Sequence, residues 1–167
     1  PAEHLRIVRP EEMSPLAVDV PPEKKRIEVS IETQMMWAYE EDRLVFSTKV
    51  STGVLKRDRS INGIPTATPV GEFRVISKMP SKHMGGGQLT NDLEAYVLPV
   101  VPWTTFFDGT GVAFHGTYWH TNYGMTMSRG CVNLRPEEAR WVFRWTTPVT
   151  EYGEIEKRGY GTRVIVT

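Results

Sequence analysis

The run Ile27-Glu28-Val29-Ser30-Ile31-Glu32 alternates branched apolar with polar side chains at every step. Successive side chains of a strand point to opposite faces of a sheet, so this period of two reads as a half-buried β-strand. Toward the C-terminus, Met35 to Tyr39 and Leu44 to Val50 flank the charged turn Glu40-Glu41-Asp42 and predict an antiparallel hairpin. Ser51 to Val70 is rich in Gly, Pro, Thr and charge, including Asn62-Gly63 and Thr68-Pro69-Val70-Gly71, and reads as loop and turn. Phe73 to Ile76 resumes as a strand, and Val164-Ile165-Val166 closes the chain as a buried one. His83 to Gly87 ends in three consecutive glycines and reads as a mobile loop, of the kind that edges binding sites.

Val112 and Phe114 alternate with Ala113 and His115, so a strand here turns His115 away from the large apolar pair. Pro136 at a first helical position, Glu137 and Glu138 in the first turn, and Ala139, Val142 and Phe143 at helical spacing predict a short helix. No internal repeat is present. The expected class is mainly β, with one or two short helices.

Toward the N-terminus, Pro1, Pro10, Pro15, Pro21 and Pro22 interrupt any periodicity, so residues 1–23 read as a linker or strap and 24–167 as one domain. A length of 167 residues with 40% hydrophobic content suffices for one core. The 20 basic and 20 acidic side chains cancel, which leaves no electrostatic footprint for nucleic acid or an anionic membrane. No apolar run approaches the length of a membrane span, and residue 1 opens on a polar, proline-containing stretch. For an exported protein, the signal or anchor segment is expected outside these residues.

Cys131 is the single cysteine, which removes internal disulfides and Cys-rich zinc sites and leaves the thiol to be explained. Reactive side chains crowd around it: His115-Gly116-Thr117-Tyr118-Trp119-His120, then Ser128-Arg129-Gly130-Cys131-Val132-Asn133. A thiolate is favoured beside a cation, an imidazole or a helix N-terminus, and Arg129, His115 and the helix at Pro136 are expected to supply all three. Gly130 allows a sharp turn, so that backbone N–H groups near Gly130 and Cys131 converge on a developing oxyanion. Acyl transfer through a thioester needs this set of parts.

Each residue also has a plainer reading. A lone cysteine is often a small buried hydrophobe, and His115 or His120 could be a satisfied structural histidine. Tyr118, Trp119 and Trp103 either line a substrate groove or belong to the core. Arg129 is an activating cation or a solvated charge. The Asn133 side chain is expected to orient its loop through hydrogen bonds to nearby backbone. His83, His115 and His120 lack zinc spacing and a completing carboxylate, so no metal is expected.

These residues resemble the L,D-transpeptidases, whose catalytic unit is also called the YkuD domain. The family pattern is a histidine in a His-Gly-Thr context, a spacer, then Ser-His-Gly-Cys, a hydrophobic residue and Asn or Arg. Here it corresponds to His115, Gly116, Thr117, Ser128, Gly130, Cys131, Val132 and Asn133. The likeness reaches upstream to Val50-Ser51-Thr52-Gly53, to Thr68-Pro69-Val70-Gly71-Glu72-Phe73 and to Lys82-His83-Met84. Arg129 stands where the family usually has a second histidine, and arginine can replace it as a cation but not as a base.

The resemblance implies a catalytic β-sandwich without a cofactor, with Cys131 as nucleophile and His115 as base. Gly130, Ser128, Arg129 and Asn133 would shape the oxyanion site, and Gly116, Thr117, Tyr118, Trp119, His120, Met84 and Trp103 are candidates for substrate contact. The implied substrate is a peptidoglycan tetrapeptide stem, cleaved before its terminal D-alanine and transferred to a neighbouring amine in an extracytoplasmic cell wall. Carbapenem β-lactams are the implied inhibitors. Hydrolysis at the same site by an L,D-carboxypeptidase, or an idle wall-binding module, are the other readings. Papain-like peptidases fit less well, because their cysteine precedes their histidine.

Overall fold

The computed structural model of the chain describes residues 7–55, 66–86 and 96–167. The opening alternation forms β1 (Lys25–Ser30), with Ile27 and Val29 buried and Arg26 and Glu28 on the other face. β1 ends at Ser30 rather than Glu32, because residues 31–34 turn the chain, with Gln34 at φ 54°. The expected hairpin follows as β2 (Met35–Glu40) and β3 (Arg43–Lys49), joined by Glu41 and Asp42.

β4 (Gly71–Arg74) starts and ends two residues earlier than expected, because the chain changes sheets at the next two residues. Val75 donates its N–H to Thr162 on the side of the first sheet, and Ile76 donates to Phe106 in the second. The second sheet then begins with β5 (Ser77–Gly86), paired to β6 (Tyr96–Phe106). His83 to Gly86 is therefore strand rather than mobile loop. Antiparallel pairing of Met84, Gly85 and Gly86 with Leu98, Val97 and Tyr96 supplies the ladder that offsets the glycines' backbone freedom. Gly87 and Asn62-Gly63 lie outside the described residues.

The remaining elements are β7 (Ala113–Gly116), β8 (Val132–Leu134), β9 (Lys157–Arg158) and β10 (Arg163–Val166), with helices α1 (Pro10–Met13) and α2 (Pro136–Trp145). One sheet runs β3-β2-β1-β10-β4 and the other β8-β7-β6-β5-β9, each five-stranded. The protein is thus mainly β, with two sheets and few helices. β10 closes the first sheet by pairing parallel to β1 and antiparallel to β4.

α2 starts as its sequence dictates. Pro136 stands at the first helical position, and the Glu138 carboxylate accepts the Arg135 backbone N–H at 3.2 Å. Its apolar side, Ala139, Val142, Phe143 and Trp145, joins one core with Ile27, Val29, Met36, Phe114, Val132 and Val164. The segment before β1 lies against the helix: Met13 is buried in that core, Glu12 pairs with Arg140 at 3.1 Å, and Leu16 donates its N–H to Arg144. Buried Lys25 continues the contact, donating to the Ala17 carbonyl at 2.7 Å and the Trp145 carbonyl at 3.2 Å. Among the described residues, no helix is long and apolar enough to cross a membrane.

Candidate active site

β7 and β8 run parallel, with Phe114 level with Val132 and His115 level with Asn133. Continuing that register one residue back sets Cys131 beside Ala113, and the thiol lies 3.9 Å from the Gly111 carbonyl oxygen. Alternation then gives Cys131 and His115 the same sheet face, one strand across and two residues along, roughly 8 Å between Cα atoms on ideal strand geometry. The parallel register thus sets the two residues expected to carry the chemistry on one sheet face.

His115 is 3% exposed. Burial pushes its imidazole down to about 4, partly opposed by the Gly116 backbone and reinforced by His120. Nδ1 lies 3.2 Å from the Gly116 carbonyl oxygen. A carbonyl can only accept, so the ring proton sits on Nδ1 and the Nε2 lone pair is left as a base. Trp119 packs near the ring, with centroids 5.9 Å apart.

The thiol is not held as a thiolate. Burial pushes Cys131 up to about 11, with the Ala113 backbone opposing. β8 and Arg135 separate Cys131 in sequence from the first residue of α2, and the Cys131 value rises rather than falls. Arg129 is exposed, while its neighbours Ser128 and Gly130 are buried. Desolvation thus favours the uncharged form of both groups.

The turn that carries the cysteine is tightly tied. Gly130 has φ 112°, a backbone region that side-chain-bearing residues rarely adopt. The Ser128 hydroxyl donates to the Cys131 carbonyl and accepts the Gly130 N–H at 3.2 Å. That engages one of the two N–H groups expected to meet an oxyanion. The Cys131 N–H has no acceptor among the described residues.

A second strip of chain supports this turn from behind. Ser51 and Asn133 exchange backbone hydrogen bonds at 3.0 and 2.9 Å, and Val54 donates to the Ser128 carbonyl at 3.0 Å. Residues 51–54, expected as loop, thus lie as an extended segment along the cysteine turn. Buried Gln34 fixes that segment in two places: Oε1 accepts the Thr52 N–H at 2.8 Å and Nε2 donates to the Thr52 hydroxyl at 2.7 Å. No motif pointed to Gln34; its left-handed φ at the end of a turn is visible only in three dimensions.

Asn133 meets a ring rather than backbone: its Nδ2 lies 2.9 Å from His120 Nε2, and its buried Oδ1 has no partner among the described residues. The Asn122 N–H donates to His120 Nδ1 at 3.2 Å, which places the neutral ring's proton on Nε2. An end-for-end turn of the amide then sets Oδ1 against that proton and satisfies the orphaned oxygen. His120 is in this way locked to the strand beside His115.

The remaining candidates divide by exposure. Gly116, Thr117 and Trp103 are buried: a Cβ on Gly116 would lie 2.9 Å from both Pro102 and Pro136, the Thr117 hydroxyl pairs with Tyr123 at 2.7 Å, and Trp103 packs on Phe143 with centroids 5.4 Å apart. These three shape the site from within. Tyr118 is exposed, with its hydroxyl donating to the Pro99 carbonyl at 2.7 Å, and Trp119 and His120 are half-buried beside it. Met84 is half-buried on β5. Among the described residues, no group of three or more His, Cys, Asp or Glu side chains could hold a metal ion.

A mainly β domain of two sheets is the class the sequence resemblance implied, and here a parallel β7–β8 pair carries the histidine on its first strand and the cysteine just before its second. The model of the L,D-transpeptidase catalytic domain, YkuD, matches residues 24–166, and the chain belongs to that family. Among solved structures it is similar to an L,D-transpeptidase from Mycobacterium smegmatis (23% identity, TM-score 0.67, covering 86% of this chain and 58% of that one). It is also similar to a cysteine-to-serine mutant of the Enterococcus faecium L,D-transpeptidase (27%, 0.62, 87% and 50%). A third is an L,D-transpeptidase in complex with imipenem (24%, 0.66, 86% and 59%). The chain spans between 50% and 59% of the length of these three proteins. No curated protein matches it.

Proposed function

We propose that the protein is a cysteine L,D-transpeptidase that cross-links peptidoglycan outside the cytoplasm. The observation that carries this reading is the neutral His115 ring, whose Nδ1 is engaged by the Gly116 carbonyl and whose Nε2 is left as a base on the face shared with Cys131. Because thiol and imidazole rest uncharged, the proton moves from Sγ to Nε2 as the sulfur attacks the carbonyl before the terminal D-alanine of a tetrapeptide stem. The Cys131 N–H receives the oxyanion. The carbon–nitrogen bond then breaks, the imidazolium returns its proton to the departing amine, and a thioester remains. An acceptor amine from a neighbouring stem gives a proton to Nε2 and attacks the thioester, forming the new amide and releasing the sulfur, which the imidazolium reprotonates.

Carbapenems would enter the same path as acylating agents, and a relative is known in complex with imipenem. Intact-protein mass spectrometry after incubation with imipenem tests the proposal. The wild type should gain one adduct, Cys131→Ala none, and His115→Ala an adduct more than about a hundredfold more slowly, in the range general-base removal brings. A wild type that stays unmodified, or a Cys131→Ala variant that is still modified, would sink it.

A further inference from the structure

Thr68 lies in the Thr-Pro-Val-Gly turn, far in sequence from the cysteine, yet its buried hydroxyl touches the cysteine turn directly. It accepts the Gly53 N–H at 2.9 Å and donates to the Gly130 carbonyl at 2.8 Å. A hydroxyl has one proton to give, and here it is committed to Gly130. The support beneath it is rigid. A Cβ on Gly53 would stand 2.2 Å from the Thr66 carbonyl oxygen and 2.8 Å from the Gly130 nitrogen, so the two backbones meet with no side chain between them.

We infer that Thr68 is a positioning residue for acyl transfer, acting through the Gly130–Cys131 peptide. In a trans peptide the carbonyl and the following N–H point in opposite directions. Holding the Gly130 carbonyl inward on Thr68 therefore turns the Cys131 N–H outward, toward the side on which the thiol reacts. Gly130, at φ 112°, has the conformational freedom to let that peptide rotate if it is not held. The Ser128 hydroxyl cannot do this work, because its bonds are to the Gly130 N–H and the Cys131 carbonyl, the groups on either side of the peptide in question. Thr68 is thus the side chain that sets the direction of the oxyanion donor.

This inference rests on the acyl-transfer reading, and the test separates the two. Imipenem acylation builds an oxyanion, whereas alkylation of Cys131 by iodoacetamide displaces iodide at a saturated carbon and builds none. Both rates would be measured at pH 9 for wild type, Thr68→Val and Thr68→Ser. Thr68→Val should slow acylation about ten- to a hundredfold, toward the loss seen when an oxyanion donor is removed. Its alkylation rate should stay unchanged, and Thr68→Ser, which keeps the hydroxyl, should acylate within about threefold of wild type.

Acylation of Thr68→Val at the wild-type rate overturns the inference while leaving the function intact. Equal slowing of both reactions also overturns it, since Thr68 would then be holding the thiol rather than the amide. A wild type that alkylates but does not acylate defeats the functional reading itself, and this inference with it. If Thr68→Val does not fold, Thr68→Ala carries the same comparison, and failure of both to fold assigns Thr68 a purely structural role.

Discussion

The two sheets are built from ladders of equal strand number and differ in how regularly they keep them. In the first, β1 and β2 alternate buried and half-buried residues without a break, short turns join β1 to β2 and β2 to β3, and the one register shift falls between Ala38 and Tyr39. In the second, β6 carries Pro99 and Pro102 and holds Val100 and Trp103 at positive φ, the register with β5 shifts between Lys82 and Met84, and β8 spans only three residues. Positive φ at a branched or bulky residue costs free energy that the surrounding packing must offset. The regular sheet is the footing on which the irregular one can hold His115, the cysteine turn and a buried polar network in fixed places.

That division of labour can be broken by experiment. Ile27, fully buried at the centre of the regular sheet, should cost about 4 kcal/mol of stability when changed to alanine. The folded fraction should still be acylated by imipenem at the wild-type rate, as read by denaturant unfolding beside mass spectrometry. Slowed acylation in the folded fraction would mean that the sheets do not act separately.

Acid should find the irregular sheet first. The folded-state value of His115, about 4, lies below its ordinary 6.5, so between these pH values the unfolded chain binds more protons than the native one. The contribution is intact above pH 6.5 and is lost as pH falls toward 4, about 3 kcal/mol in all. Denaturant midpoints at neutral pH and at pH 4 should therefore fall more in wild type than in His115→Gln, and parallel curves would remove His115 as the cause.

The smallest effect belongs to the surface of the regular sheet. Arg163 and Glu72 pair across β10 and β4 at 2.8 Å, both well exposed, and Arg163→Ala should change stability by less than about 1 kcal/mol. A thermal melt showing a larger loss would place weight on that edge which the core is expected to carry.

The same contrast decides what could be read from the sequence. β1, β2, β10 and α2 were legible because each buries one face, and a buried face imposes a period on its residues; β3, mostly exposed, was legible as the second arm of the hairpin. β6 was not, since prolines within a run argue against a strand and its partner β5 ends in glycines; their mutual pairing supplies the ladder for both. The expectation for Cys131 and His115 came from their neighbours in the chain. The protonation of the pair was not, because it depends on burial contributed by residues distant in sequence, and the nearby arginine suggested the opposite. Gln34 and the Thr68 contact escaped for a related reason: each acts on backbone brought close by the fold.

A cysteine kept protonated is also a durable one. Peroxide and disulfides react with the thiolate, so a thiol whose ionisation is pushed up to about 11 presents oxidants with a vanishing fraction of the reactive form at neutral pH. Desolvation of this half-buried residue thereby gives Cys131 a shelf life: at neutral pH its sulfur rests in the protonated form, which oxidants attack slowly.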